Sequence, residues 1–88
     1  MNSKKFNNSG LIGDSPNPTL LQARLTLEDD DSNLTIYDNA LGVEEGAEIA
    51  YLDKTNPTVD FREKGYFCHK GLYAYLPQGG SYYIVWEN

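Results

Sequence analysis

Leu72-Tyr73-Ala74-Tyr75-Leu76-Pro77-Gln78-Gly79-Gly80-Ser81-Tyr82-Tyr83-Ile84-Val85-Trp86 is the stretch on which the fold class turns. Two runs rich in aromatic and aliphatic residues flank a Pro/Gly tetrapeptide, the pattern of antiparallel strands joined by a short loop. With the loop centred on Gln78-Gly79, Tyr75 falls opposite Tyr82 and Tyr73 opposite Ile84. Side chains alternate along a strand and opposite residues share a face. Leu72, Ala74, Leu76, Tyr83 and Val85 are then predicted on one face, and Tyr73, Tyr75, Tyr82, Ile84 and Trp86 on the other. A one-residue bulge would break that parity.

Working outward, Leu21, Ala23, Leu25 and Leu27 alternate with Gln22, Arg24 and Thr26, a second period-two segment. Asp29-Asp30-Asp31-Ser32-Asn33 supplies turn formers, and Leu34-Thr35-Ile36-Tyr37 resumes the alternation, so this region reads as another hairpin. Residues 38–46 hold Gly42 and Gly46 and read as a connection rather than a helix. Residues 47–52 read as a strand, which Asn56-Pro57 breaks. Val59-Asp60-Phe61 reads as a short edge strand, Gly65 as a turn and Gly71 as a bend. About six short antiparallel strands with no convincing helix predict an all-β fold, a small barrel or sandwich.

Residues 1–19 read differently. Met1, Phe6, Leu11 and Ile12 are the only large apolar groups among Asn, Ser, Gly and Pro. The segment is expected to be an extended polar arm, with residues 20–88 forming a single small β-domain. At 88 residues the chain holds one domain and a thin core.

Charge narrows the partners. Thirteen carboxylates face seven Lys and Arg, for a net charge of −6. Eleven of the thirteen fall within residues 28–63, opposed only by Lys54 and Arg62. Such a surface repels phosphate, so no direct nucleic-acid binding is expected, and a basic protein partner is favoured over an acidic one. Asp29, Asp30, Asp31, Glu44, Glu45 and Glu48 form a candidate acidic contact band, with a merely solubilising role as the plain alternative. Lys4 and Lys5 lack a following apolar run, so no signal peptide is read and a cytoplasmic location, or incorporation into a particle such as a virion, is expected. No stretch has the roughly 18–20 apolar residues of a membrane span.

Chemistry-bearing patterns are sparse. Asp29-x-Asp31-x-Asn33 opens like a calcium loop, but Leu34 and Ala40 stand where such a loop needs Gly and a bidentate Glu. Cys68-His69 places thiol and imidazole next to each other in a strand, where neighbours point to opposite faces, so a buried Cys68 and an exposed His69 are expected rather than a catalytic pair. One Cys and one His do not make a structural zinc site. Residues 34–49 resemble the swapped-hairpin DNA-binding domains of bacterial transition-state regulators. That family's Pro after the first strand is absent here, and acids replace its basic residues, so the likeness assigns no family. No catalytic residue, metal or cofactor is expected.

The aromatic set Tyr73, Tyr75, Tyr82 and Trp86 is the candidate partner-binding face, since Tyr and Trp combine large contact area with a polar handle. The alternative is that this face is buried. The expected function is a non-enzymatic binding or assembly protein, a virion- or phage-type structural or decoration protein whose arm orders as it docks. Two alternatives are an acidic inhibitor or immunity-type protein filling a basic, nucleic-acid-binding groove, and a module for carbohydrate or another small ligand.

Overall fold

A computed structural model describes residues 1–13, 17–27, 31–39, 47–61 and 64–87. These form nine strands: β1 (Asn2–Phe6), β2 (Gly10–Leu11), β3 (Thr19–Thr26), β4 (Leu34–Asp38), β5 (Ala47–Leu52), β6 (Thr58–Asp60), β7 (Tyr66–Phe67), β8 (Tyr73–Tyr75) and β9 (Ser81–Glu87). All pair antiparallel. One sheet runs β1-β9-β3-β6, with β7 also on β3, and the other runs β2-β8-β4-β5. The fold is a β-sandwich, all-β as the alternation predicts, and no helix occurs among the described residues. Its shortest extent is 18 Å, which suits two sheets about 10 Å apart with outward side chains.

The core lies between the sheets. Leu20, Ala23 and Leu25 of β3 and Tyr82, Ile84 and Trp86 of β9 pack with Leu34 and Ile36 of β4, Leu52 of β5 and Ala74 of β8. Full burial of one such large apolar side chain contributes about 1.5–3 kcal/mol, so this cluster supplies the main driving force. Between Leu20 and Gln22 the β3–β9 register shifts, and the bulge carries Leu20 inward opposite Trp86. This leaves Gln22, Arg24 and Thr26 outward, as the alternation predicts, while Leu27, read as part of the apolar face, lies past the strand and is exposed.

Both expected hairpins are corrected. β8 and β9 do not pair; β8 joins β2 and β4, and β9 joins β1 and β3. β3 and β4 likewise lie in different sheets. The reason is the burial of two apolar sets at once. In a hairpin, Leu72, Ala74 and Leu76 would oppose the face carrying Tyr82, Ile84 and Trp86. Sending the strands to opposite sheets turns both sets into the core, where all six are buried. Gly79 and Gly80, with φ of 77° and 110°, make the reversal, a backbone region closed to most side chains. At the other reversal Gly65, at φ 72°, has Thr19 pressed against the place a Cβ would take.

The arm over residues 1–19 is corrected too. Its backbone groups pair with two C-terminal strands, β1 along β9 and β2 along β8. Ile12 is 1% exposed within the core, and Phe6 stacks on Tyr82 at 5.4 Å. A polar composition does not keep a strand out of a sheet when the edge it covers belongs to apolar neighbours.

Candidate functional site

The four-stranded sheet turns one side to the core and the other outward. Register sets which residues share the outer side: Leu11, Tyr73, Tyr37 and Glu48 form one row across β2, β8, β4 and β5, and Tyr75, Thr35 and Tyr51 form the next. Four tyrosines and a leucine therefore stand together on a surface that the core does not use. Leu11 and Tyr51 are each 51% exposed, Tyr73 and Tyr75 are half-buried, and Tyr37, on the central strand, is buried among its neighbours.

The predicted aromatic set is thus divided. Tyr73 and Tyr75 belong to this outer surface. Tyr82 and Trp86 face the opposite way, into the core, with exposures of 0% and 8%. The Tyr82 hydroxyl donates to the Asn8 carbonyl at 2.7 Å, and burial, then the neighbouring Tyr73, pushes its ionisation above the ordinary phenol range. Trp86 packs against Phe6 at 6.2 Å while its Nε1 has no hydrogen-bond partner, a cost of about 1–3 kcal/mol.

Alternation alone pairs Thr35 with Tyr37. Tyr51 was hidden because a bulge between Ile36 and Tyr37 shifts the β4–β5 register, pairing Tyr37 with Glu48 and Ile36 with Ala50 and leaving Ile49 as the extra residue. Leu11 lay in the segment read as an arm.

The acidic band is not gathered by the described residues. Asp29, Asp30, Glu44 and Glu45 lie outside them. Asp31 precedes β4, whereas Glu48 sits opposite Tyr37, six residues along, about 20 Å at strand spacing. Of the calcium-like Asp29-x-Asp31-x-Asn33, the described part is a local turn, with Asn33 Nδ2 donating to the Asp31 carbonyl at 3.0 Å. No group of three or more His, Cys, Asp and Glu able to hold a metal ion occurs among the described residues.

Beside Asp31 a groove of about 380 Å³ is lined by Ser32, Asn33, Tyr51, Asp53, Lys54, Thr55 and Gln78. It adjoins the tyrosine surface through Tyr51. One oxygen of Asp53 is already committed, accepting from the backbone N–H groups of Thr55 and Asn56 at 2.9 and 3.1 Å.

At the opposite end, Cys68 is fully buried and His69 is exposed, with its ring edge-on to Phe67 at 5.0 Å. Asp38 is a residue the sequence does not single out. Its two carboxylate oxygens accept from the N–H groups of His69 (3.0 Å) and Lys70 (2.7 Å), while Asn17 Nδ2 donates to the His69 carbonyl at 2.9 Å. Burial, then the Asp38 carboxylate, pushes the Cys68 thiol up to about 12, against the opposing effect of a backbone hydrogen bond from Leu20. Thiolate being the nucleophile, Cys68 should resist an aromatic disulfide reagent at pH 8 and react on unfolding. The unfolded thiol ionises near pH 8.5–9. Stability from this group is therefore complete below that pH and is lost as pH rises toward 12. Denaturant midpoints between pH 9 and 11 should fall more steeply for the wild-type chain than for Cys68→Ala.

Compared with known proteins, the chain matches no family model, no curated protein and no solved structure.

Proposed function

We propose that this chain is a non-enzymatic binding and assembly protein that docks on a protein partner within a larger particle, of the virion-structural or decoration kind. The reading is supported by one observation: Tyr37, Tyr51, Tyr73, Tyr75 and Leu11 share the outward side of the four-stranded sheet, apart from the core. Tyrosine gives broad contact area with two side-chain torsions to restrain, and it recurs at the energetic centres of interfaces. The docking element is this sheet face rather than a free arm, because β1 and β2 are occupied within the fold.

The native mass of the assembly, measured by light scattering at low salt and at about 1 M, tests the reading. At the higher salt the Debye length is only about 3 Å and exposed ion pairs are screened. Many copies retained on a high-mass assembly at both salts, and released by Tyr51→Ser with Tyr75→Ser, are expected. A one-to-one complex lost as salt rises would transfer the assignment to the acidic inhibitor.

The groove beside Tyr51 supports a second reading, a small-ligand or carbohydrate module. A half-exposed ring beside Asn33, Asp53 and Gln78 offers stacking and planar hydrogen-bonding groups of the sort that grip vicinal hydroxyls. Trp86 is remote from solvent, so calorimetric titration of a sugar panel is the suitable readout. Heat of binding abolished by Tyr51→Ala would favour this reading over docking.

A further inference from the structure

The five-stranded sheet has an outward side of its own, across the sandwich from the tyrosine surface. Tyr82, Ile84 and Trp86 face the core, so Tyr83 and Val85 of β9 face away from it. Register lays two rows across β1, β9, β3 and β6: Lys5, Tyr83, Arg24 and Thr58 in one, Ser3, Val85, Gln22 and Asp60 in the next. A cavity of about 340 Å³ opens on this side, lined by Met1, Ser3, Gln22, Tyr83 and Val85. Small-ligand sites run from about 300 to 1,000 Å³, so it has the size of one. Val85 is only 9% exposed although it stands outside the core cluster, which gives the cavity an apolar floor. Ser3 and Gln22 add hydrogen-bonding groups to its wall.

The charge of this sheet leans against that of the chain. Its strands hold Lys4, Lys5 and Arg24 against Asp60 and Glu87, whereas the whole chain sets seven Lys and Arg against thirteen carboxylates. Asp60 stands at the β6 edge opposite Gln22, and Glu87 at the end of β9 opposite Thr19. Neither shares the row of Lys5, Tyr83 and Arg24. In that row two exposed cations flank a half-buried ring, and the Arg24 guanidinium lies over it, 5.6 Å from the centroid. A cation–π contact uses the face of the guanidinium and leaves its in-plane N–H groups for the oxygens of an anion. Lys5 brings a second positive charge from the other flank of Tyr83. Close to the surface these charges outweigh distant carboxylates, since salt at 0.1 M screens beyond about 10 Å.

We propose that this cavity binds a small phosphate monoester carrying a flat ring, of the aryl phosphate or nucleoside monophosphate class. The ring lies on the apolar floor beside Tyr83 and Val85, Ser3 and Gln22 meet its polar edge, and Lys5 and Arg24 hold the phosphate. Two cations match the charge of about −1.5 to −2 on a phosphate monoester better than the single charge of a carboxylate. One ring and two cations suit one small ester rather than a polynucleotide, which the net charge of −6 repels. The site lies on the opposite sheet from the tyrosine surface, so the two readings stand or fall separately.

Calorimetric titration with phenyl phosphate and with adenosine monophosphate, in a low-salt buffer free of phosphate, tests the site. Inorganic phosphate and phenol serve as controls. The expected result is one-to-one binding of at least one ester, about tenfold or more tighter than either control, and the tighter ester identifies the ring. Arg24→Gln and Lys5→Gln should each weaken that binding about tenfold, the worth of a charge-assisted hydrogen bond. Both positions are exposed, so the melting curves of these variants should match wild type. Tyr51→Ala, on the other sheet, should leave the binding unchanged. Absence of saturable binding by both esters, equal binding of inorganic phosphate, or an affinity unaltered in Arg24→Gln and Lys5→Gln would overturn the assignment.

Discussion

Trp86→Ala is expected to lower stability by about 3–5 kcal/mol, the range for removing a large aromatic side chain from a packed core. The indole is 8% exposed, opposes Leu20 on β3, and closes the core side of β9 with Tyr82 and Ile84. Small domains have about 5–15 kcal/mol in total, so this one change consumes about a fifth or more of the margin. In a domain of this size the melting temperature should drop by more than about 10 °C. Trp86→Phe separates packing from polarity. It keeps a ring beside Phe6 and removes the unpartnered Nε1–H, so its loss should fall well short of the alanine variant's. Tyr51→Ala provides the contrast: on the outward face, half-exposed, it should shift stability by no more than about 0.5 kcal/mol. Equal melting curves for Trp86→Ala and wild type would contradict the inward placement of β9's aromatic side.

The second large effect is expected at the other end of the chain. Ile12→Ala should cost about 2–5 kcal/mol, because the side chain is 1% exposed within the central cluster and its N–H is held by the Leu72 carbonyl. A free polar arm would lose nothing measurable from that substitution. Urea denaturation of the variant therefore tests directly whether the N-terminal segment belongs to the core. A midpoint unchanged from wild type would return residues 1–12 to the status of an appendage. The spread within the expected range depends on how far Leu72, Ala74 and the other neighbours relax into the space left behind.

The candidate surface was half legible. Tyr73 and Tyr75 emerged because they alternate with Leu72, Ala74 and Leu76, and period-two spacing places them on one side whatever the strand pairs with. Tyr82 and Trp86 were joined to them only through an assumed hairpin. Once β9 crosses to the other sheet, its aromatic side becomes the core side, and the parity across the loop reverses. Tyr51 depended on a bulge, and bulges leave no mark in the hydrophobic pattern of a strand as short as Ala47–Leu52. The clamp of Asp38 on residues 69 and 70 spans more than thirty positions, with no local signature in the sequence.

By itself, the sequence determined what is local: the strand character of residues 20–26, 34–37, 47–52 and 81–86, and the reversals at Gly65 and Gly79-Gly80. Alternation, turn chemistry and backbone freedom act over a few residues, and they act the same way in any sheet. The tertiary structure alone decided which strand lies beside which. Most connections carry the chain from one sheet to the other, and among the described strands only β4 and β5 are consecutive and directly paired with each other. Pairing partners are chosen by the global requirement to bury several apolar faces at once. That requirement moved the N-terminal residues into both sheets and split the aromatic set between core and surface.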